Sequence, residues 1–409
     1  MASALVPALR REALLRRTVA LSMSVTTVAA IVALAAGASR VSSTPVALWQ
    51  FAGGQHFSML LQPDLPALIF ALFIAAICGV VAAFSVRYLH REPGFYRYFL
   101  FFGLFVHGMM LVSLAGSVET LLVGWELIGL SSAMLVGFFH ERPEPVESAL
   151  FVYAAYRIGD AAMLAAAMLL HHWGGSGALA TLFQGELSVV LSAWQLLCIG
   201  LLLLTAAAAK GALLPFSGWL PRAMEGPTPS SAVYYGALSV HAGCYLLWRA
   251  EPLLATSPVA RSLALATGLL TALYGTIVMR AQTDIKTRIA YASLSQTGLI
   301  VAEIALGWTT LAFVHMLGHI CVRLLELLAA PNVLHEHHAI ENRRHGRGVT
   351  AHVRRRSDLP GWLYTFALER GYLDVVIARC IVGPILRLAR MLDALDRRLS
   401  GSAHSRGAS

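Results

Sequence analysis

Glu126 stands near the middle of a long run of apolar residues, where an unpaired carboxylate is costly to bury in a membrane. Lys210 is a second isolated charge, at the end of another apolar run that Pro215 soon follows. Proline removes a backbone donor, so the helix is predicted to be broken near residues 210–216. Water reaches such a break, and burial disfavours a charged lysine. The two charges therefore predict proton transfer, with Glu126 favouring the charged form of Lys210 when it is close.

Other interpretations of the charged residues stay open at this point. Lys210 could instead extend its ammonium group to the membrane surface along its apolar stem. Arg157 and Asp160 lie three positions apart in the next apolar segment, so they can pair on one helical face. That pair is either a structural salt bridge or part of the coupling between charges.

Two histidines mark a further candidate site. In FVHMLGHICVRLLELL, residues 313–328, His315 and His319 lie four positions apart and Arg323 follows four later, so the three share one helical face. Histidine accepts and donates protons near neutral pH, which predicts a proton relay. A dry histidine pair in the core is the alternative. A metal site is not predicted, because no third ligand accompanies the pair before Glu326.

Membrane-spanning helices must position these residues. The chain has 409 residues, a mean hydropathy of +0.67 and 13% charged residues, against about 25% in an average soluble domain. Because helices satisfy their own backbone in lipid, the apolar windows predict an all-α, polytopic membrane bundle of about ten transmembrane helices. The windows cover residues 18–37, 67–86, 98–116, 119–139, 149–171, 190–209, 228–249, 262–280, 289–307 and 310–332.

Basic residues predict the orientation. They cluster in residues 10–17, 87–97, 280–288 and 343–356, whereas the alternate loops contain few. Positive loops stay on the cytoplasmic side, so both termini are predicted to be cytoplasmic. The net charge of +9 is explained by this topology and by attraction to lipid headgroups, and no nucleic acid is predicted as a partner.

Composition also divides the chain. The predicted parts are a basic N-terminal segment (1–17), a transmembrane domain (18–332), a cytoplasmic basic linker (333–358), an amphipathic surface helix (359–399) and a disordered tail (400–409). His335, His337 and His338 in the linker could bind a metal, but a solvated loop is favoured. The five cysteines are scattered singly, so neither an iron–sulfur cluster nor a zinc site is predicted. No cofactor, redox site or hydrolytic site is predicted in this chain.

Four motifs together resemble a known family. They are VGWELIGLSSAMLVGFF followed by YRIGD, AAAKGALLPFSGWLPRAMEGPTPSSA, QTDIKTRIAYASLSQTG, and the helix with two histidines. They are similar to the proton-pumping antiporter-like subunits of respiratory complex I, especially its L-type subunit, and to relatives in multisubunit sodium/proton antiporters. The resemblance covers residues from about 60 to 332, and it implies a bacterial inner-membrane protein.

The resemblance also implies roles for individual residues. Glu126 and Lys210 would be the coupled acid and base of an inlet half-channel. His315 and His319 would continue a polar axis along the membrane centre. Asp160 would take part in ionic contacts between neighbouring subunits or half-channels.

Some positions depart from the family pattern. Tyr235 stands where the family usually has a histidine, and His241 follows six positions later, on a different face of the helix. Arg323 replaces a lysine, and arginine effectively never deprotonates. Lys286 lies in the motif QTDIKTRIAYASLSQTG, and the resemblance implies a supporting role for it in proton transfer. A second broken helix with an exit lysine does not follow residue 332, so a partner is expected to complete the proton path.

Three functions follow as hypotheses. The first is a proton-conducting subunit of a complex I-like or antiporter-like assembly, possessing no redox centre of its own. The second is the membrane subunit of a DAB-type inorganic carbon transporter, paired with a soluble zinc-containing protein that resembles carbonic anhydrase. The third is a scaffold that has lost conduction, which the retained ionisable residues Glu126, Lys210, His315 and His319 argue against.

Overall fold

A computed structural model describes residues 12–37, 46–50, 58–180, 187–330 and 360–377, with positions 379, 384, 387 and 390–394. The basic residues before position 12, the linker with its three histidines and the tail after residue 399 lie outside the described residues. The chain divides into two units, residues 1–354 and 355–409.

Ten principal helices occupy the described part of the first unit. They are α1 (Glu12–Gly37), α2 (Leu65–Tyr88), α3 (Phe95–Ser113), α4 (Val118–Val136), α5 (Pro143–Gly174), α6 (Ala193–Lys210), α7 (Ser239–Arg249), α8 (Pro258–Val278), α9 (Ile285–Ala305) and α10 (Thr309–Ala329). Each falls on one of the predicted windows. Eight of the described helices are long and apolar enough to cross a membrane, so the predicted all-α membrane bundle is confirmed.

The two remaining helices, α7 and α9, differ for physical reasons. A short helix at Thr228–Ser230 and a π-helix at Ser231–Leu238 precede α7, so that membrane segment is not one regular helix. Helix α9 has several polar and charged side chains. Shorter helices connect the principal ones: Gly137–Phe139, Leu187–Val190, Trp219–Arg222, Ala223–Glu225 and Glu251–Thr256.

A small β-hairpin precedes α2, and the sequence did not indicate it. Strands β1 (Val46–Gln50) and β2 (Ser58–Leu61) pair antiparallel. The carbonyl of Leu60 accepts hydrogen bonds from the Gly116 amide and the Thr120 hydroxyl. These bonds attach β2 to the start of α4.

The predicted break after Lys210 is confirmed. Helix α6 ends at Lys210, and the Leu214–Pro215 peptide bond is cis. A broken helix leaves backbone groups that need partners in a membrane. The Trp219 indole donates to the Ala209 carbonyl at 2.8 Å, and the Leu214 amide donates to the Thr271 hydroxyl at 3.0 Å. Side chains therefore stabilise the open end of α6.

Residues 360–377 of the second unit contain two short helices, Gly361–Leu368 and Leu373–Ile377. A 3₁₀ turn at Arg370–Tyr372 separates them, and Gly371 has a φ of 67° there. A left-handed residue interrupts an α-helix, so the predicted continuous helix over 359–399 is interrupted at this turn.

Close backbone contact between α8 and α9 depends on glycine. A Cβ added at Gly298 would lie 2.5 Å from the Gly268 carbonyl oxygen and 2.6 Å from the Ala272 nitrogen. Small residues allow such contacts between membrane helices. A Cβ added at Gly318, on α10, would have no atom of another helix within 4 Å.

These two glycines give opposite expectations for alanine. Alanine is favoured over glycine in a helix by about 1 kcal/mol, so Gly318→Ala should preserve or raise the thermal midpoint of unfolding in detergent. Gly298→Ala should lower it, because α8 and α9 must separate. Equal midpoints for the two variants would contradict the close contact.

Candidate functional site

Lys210 lies in an enclosed site at the end of α6, with 1% of its surface exposed. Its Nζ donates to the Trp125 carbonyl at 3.2 Å. The same atom lies 4.2 Å from the centre of the Tyr156 ring and 5.0 Å from that of Trp125, where ring faces attract a cation. The lysine does not extend to the membrane surface, so that alternative is wrong.

Gly129 provides the space for the ammonium group. A Cβ at this position would lie 3.0 Å from Nζ of Lys210. Trp125 and Gly129 are four positions apart in α4, so both face the same side of the helix. Their common face forms one wall of the lysine site.

Asp160 provides the carboxylate nearest to the lysine among the described ion pairs. Its Oδ1 lies 3.8 Å from Nζ of Lys210, and the side chain is 5% exposed. Nη2 of Arg157 lies 2.6 Å from Oδ2 of Asp160 and 2.6 Å from Oε2 of Glu126. The four residues therefore form a charged chain in the order Glu126, Arg157, Asp160, Lys210.

The sequence predicts that Glu126 and Lys210 are coupled, and in the structure the two side chains are linked indirectly. Glu126 follows Trp125 by one residue, which turns its side chain by about 100° around α4, away from the lysine and toward α5. Arg157 on α5 bonds to it there. Two side chains, Arg157 and Asp160, therefore stand between the predicted partners.

Glu126 was also expected to be buried, which is wrong for the isolated chain. Its side chain is 44% exposed and that of Arg157 is 37% exposed. Both line an outer groove of about 380 Å³ between α4 and α5, together with Leu122, Leu130 and Tyr153. The outer half of the charged chain thus reaches an apolar surface, while the inner half is enclosed.

His315 belongs to a second polar group. Its Nδ1 lies 2.9 Å and 3.1 Å from the two carboxylate oxygens of Glu303, and its Nε2 lies 3.1 Å from Oε1 of Gln296. The amide of Gln296 can present either an acceptor or a donor. The ring can therefore gain or lose the Nε2 proton and keep hydrogen bonds on both sides.

The sequence reasoning missed Glu303 and Gln296. Glu303 is a carboxylate within the predicted window 289–307, so the rule that selected Glu126 also applies to it. Trp125, Tyr156 and Gly129 were missed as well, because aromatic and small residues in an apolar run resemble ordinary core residues.

His319 has different partners from His315. Its Nδ1 lies 2.8 Å from Nε2 of His241, and its Nε2 accepts a hydrogen bond from Nε of Arg323 at 2.9 Å. Arginine has no acceptor, so the neutral His319 ring has its proton on Nδ1 and donates it to His241. Arg323 also pairs with Glu326. Protonation of His319 at Nε2 would break its bond to Arg323.

Aromatic residues and hydroxyl groups lie near the lysine site. Trp219 packs against Tyr156 and Tyr235, and the Tyr235 hydroxyl donates to the Ser132 carbonyl at 2.7 Å. The hydroxyls of Tyr156, Ser132 and Ser239 are buried close to one another. Within the described part of the chain none of the three completes a hydrogen bond with a protein atom. Such groups are typical sites for buried water.

Lys286 lies apart from these groups. It is the second residue of α9, after Asp284, whose carboxylate caps the helix. Lys210 and Lys286 are the only lysines of the chain. In the described ranges, no group of three or more His, Cys, Asp or Glu side chains could hold a metal ion.

The helices, the broken α6 and the enclosed lysine define a polytopic membrane protein with a charged chain of residues that leads from an outer groove to its interior. Residues 115–354 match the family model described as NADH:quinone oxidoreductase/Mrp antiporter, transmembrane, and residues 49–99 match that of the N-terminus of complex I chain 5. The chain belongs to this antiporter-like family, which confirms the resemblance.

Several relatives are similar over most of the chain. NADH-quinone oxidoreductase subunit L of Mycobacterium tuberculosis is 34% identical over 83% of this chain and 52% of its own length. The probable inorganic carbon transporter subunit DabB1 of Halothiobacillus neapolitanus is 30% identical over 93% of this chain and 69% of its own. The Mrp complex from Dietzia sp. DQ12-45-1b contains a chain with a TM-score of 0.66 and 27% identity, covering 76% of this chain and 37% of that one. The chain thus spans about half the length of the subunit L relative.

The contact between Asp160 and Lys210 predicts the stability of variants. Asp160→Asn should reduce stability by about 3 kcal/mol, because Lys210 loses the carboxylate that stabilises its buried ammonium group. Adding Lys210→Met should restore most of the loss, since neither charge then remains. Thermal unfolding in detergent measures both variants, with Glu141→Gln on an exposed pair as the control. A double variant less stable than Asp160→Asn alone would contradict the pairing.

Proposed function

We propose that the protein is a proton-translocating subunit of a multisubunit complex in a bacterial inner membrane, with both termini cytoplasmic. The observation that carries the proposal is the charged chain from the exposed Glu126 to the enclosed Lys210 at the broken end of α6. Charged groups at this depth are retained where protons or ions move. The lysine is the member of the chain that can hold or release a proton after burial.

Arg157 makes the charged chain switchable. It is shared by Glu126 and Asp160, so movement toward Glu126 leaves Asp160 to stabilise the charged lysine. Movement toward Asp160 neutralises that carboxylate, and Lys210 then releases its proton more readily. Glu126 therefore acts on Lys210 through the side chains of Arg157 and Asp160. A charge placed near the exposed Glu126 carboxylate would change the fraction of Lys210 that is protonated.

The onward path uses the groups beyond the lysine. Water bound by the buried hydroxyls of Tyr156, Ser132 and Ser239 would carry protons between Lys210 and the histidines. His315 suits a relay, because Glu303 and Gln296 provide hydrogen bonds in both of its protonation states. His241 and His319 are held by Arg323 in a neutral arrangement. We propose that His241 and His319 do not carry protons and instead keep neighbouring polar groups in position.

Neighbouring membrane subunits would complete the assembly. The similar chain from Dietzia belongs to an Mrp complex, which supports neighbours of this kind. The groove that exposes Glu126 and Arg157 between α4 and α5 is the surface where a neighbouring subunit would place a charge near the chain. A quinone-reductase or antiporter-like assembly suits this arrangement.

An inorganic carbon transporter is the second candidate. It is favoured by the extent of the match to the DabB1 relative, 93% of this chain and 69% of that one. In that case proton flow would drive carbon uptake by a soluble zinc-containing partner that resembles carbonic anhydrase.

Copurification should separate the two candidates. The tagged protein is isolated in mild detergent and its partners are identified by mass spectrometry. Quinone-reductase or antiporter-like membrane subunits are the expected result for the first candidate. A large soluble zinc protein, with no such subunits, would contradict it and favour carbon uptake.

Proton transfer by the charged chain is tested in the isolated complex in proteoliposomes. Lys210→Met and Glu126→Gln should each reduce proton flux, read by a pH-sensitive dye, at least tenfold, because the chain loses its proton carrier or its outer carboxylate. Glu141→Gln should leave the flux unchanged, and all variants should copurify with the same partners. Normal flux in both Lys210→Met and Glu126→Gln would exclude the mechanism.

A further inference from the structure

The first two helices enclose a groove that the proton path does not use. It lies between α1 and α2 and has a volume of about 640 Å³. Met23 and Thr27 line one side, and Ala76, Gly79 and Ala83 line the other. The small side chains of α2 leave space for the groove, and most of the residues that line it between its two ends are apolar.

One end of the groove is strongly basic. Arg16 of α1 and Arg87 of α2 both line it there, and both are exposed. The nearby Glu12 carboxylate already has other hydrogen-bond partners. Its Oε2 lies 2.8 Å from Nδ1 of His90, and its Oε1 accepts a hydrogen bond from the Arg91 amide. Within the described residues neither arginine forms an ion pair with a carboxylate. Guanidinium groups favour phosphate oxygens.

The length of the groove separates two classes of occupant. From Arg16 to Val28 it follows twelve residues of α1, or about 18 Å at the helical rise. Half of a hydrocarbon core of roughly 30 Å is about 15 Å, so the groove has about the length of one leaflet, with the two arginines at one end. A transmembrane helix of a partner would need a groove across both leaflets.

We propose that this groove binds an anionic phospholipid. The phosphate lies between Arg16 and Arg87, and an acyl chain lies along Ala76 and Gly79 in the apolar part. Basic pockets between membrane helices bind acidic headgroups in this way. The lipid would hold α1, which has no buried residues in its apolar window, against α2.

The test compares lipids with the same acyl chains and different headgroups. The full-length protein, with its native partners, is delipidated, incubated with phosphatidylglycerol or phosphatidylcholine, and examined by native mass spectrometry. Wild type should retain phosphatidylglycerol at least fivefold better than phosphatidylcholine. The double variant Arg16→Gln/Arg87→Gln should lose this preference. Arg17→Gln should keep it, because Arg17 is exposed on the same helix but does not line the groove.

A second variant tests the apolar part. Ala76 is exposed in the groove, so Ala76→Leu fills it without displacing the core, and it should reduce retention of phosphatidylglycerol with both arginines intact. Equal retention by wild type and the double arginine variant would overturn the proposal. So would equal binding of both lipids by wild type, or a partner helix crosslinked to a cysteine introduced at position 76.

Discussion

Burial of the Lys210 ammonium group is the constraint on which the rest of the site depends. A charge at this depth is stable only where polar groups replace water. Here the Trp125 carbonyl, the faces of two aromatic rings and the Asp160 carboxylate take that role. Gly129 has no side chain and so leaves space for the ammonium group. The Trp219 indole donates a hydrogen bond to the backbone carbonyl at the open end of the broken helix. A change in any of these groups alters the free energy of the charged lysine.

The choice of lysine at this position is chemically specific. The chain has only Lys210 and Lys286, and all its other basic side chains apart from histidine are arginines. Arginine stays charged at every accessible pH, which suits Arg157 and Arg323 as fixed charges that orient their neighbours. Lysine can release its proton after burial. The charged chain thus combines one titratable cation, Lys210, with one permanent cation, Arg157, that is shared between two carboxylates.

The sequence predicts the helices well because apolar windows of membrane length are a strong signal. It also predicts the break after Lys210, since Pro215 has a direct backbone effect. The partner of Lys210 could not be predicted in the same way. Which carboxylate meets the lysine depends on the rotation and depth of α4 and α5, and one residue along α4 turns Glu126 out of reach.

The contacts of the histidines show the same limit. The spacing of His315 and His319 predicts a shared face, but their hydrogen bonds go to α9 in one case and to His241 in the other. The β-hairpin was missed because short strands outside the bundle have weak sequence signals. Tertiary packing, which no single segment encodes, decided each of these points.

Asp160 stabilises the charge of Lys210 directly, whereas Glu126 acts at a distance through Arg157. Solid-state NMR of protein labelled with ¹⁵N-lysine tests this most directly, because the chain contributes only two lysine Nζ signals. We expect Asp160→Asn to change the Lys210 signal from that of a charged ammonium to that of a neutral amine, with the Lys286 signal unchanged and a smaller effect of Glu126→Gln. A Lys210 signal unchanged by Asp160→Asn, or changed more by Glu126→Gln, would contradict it.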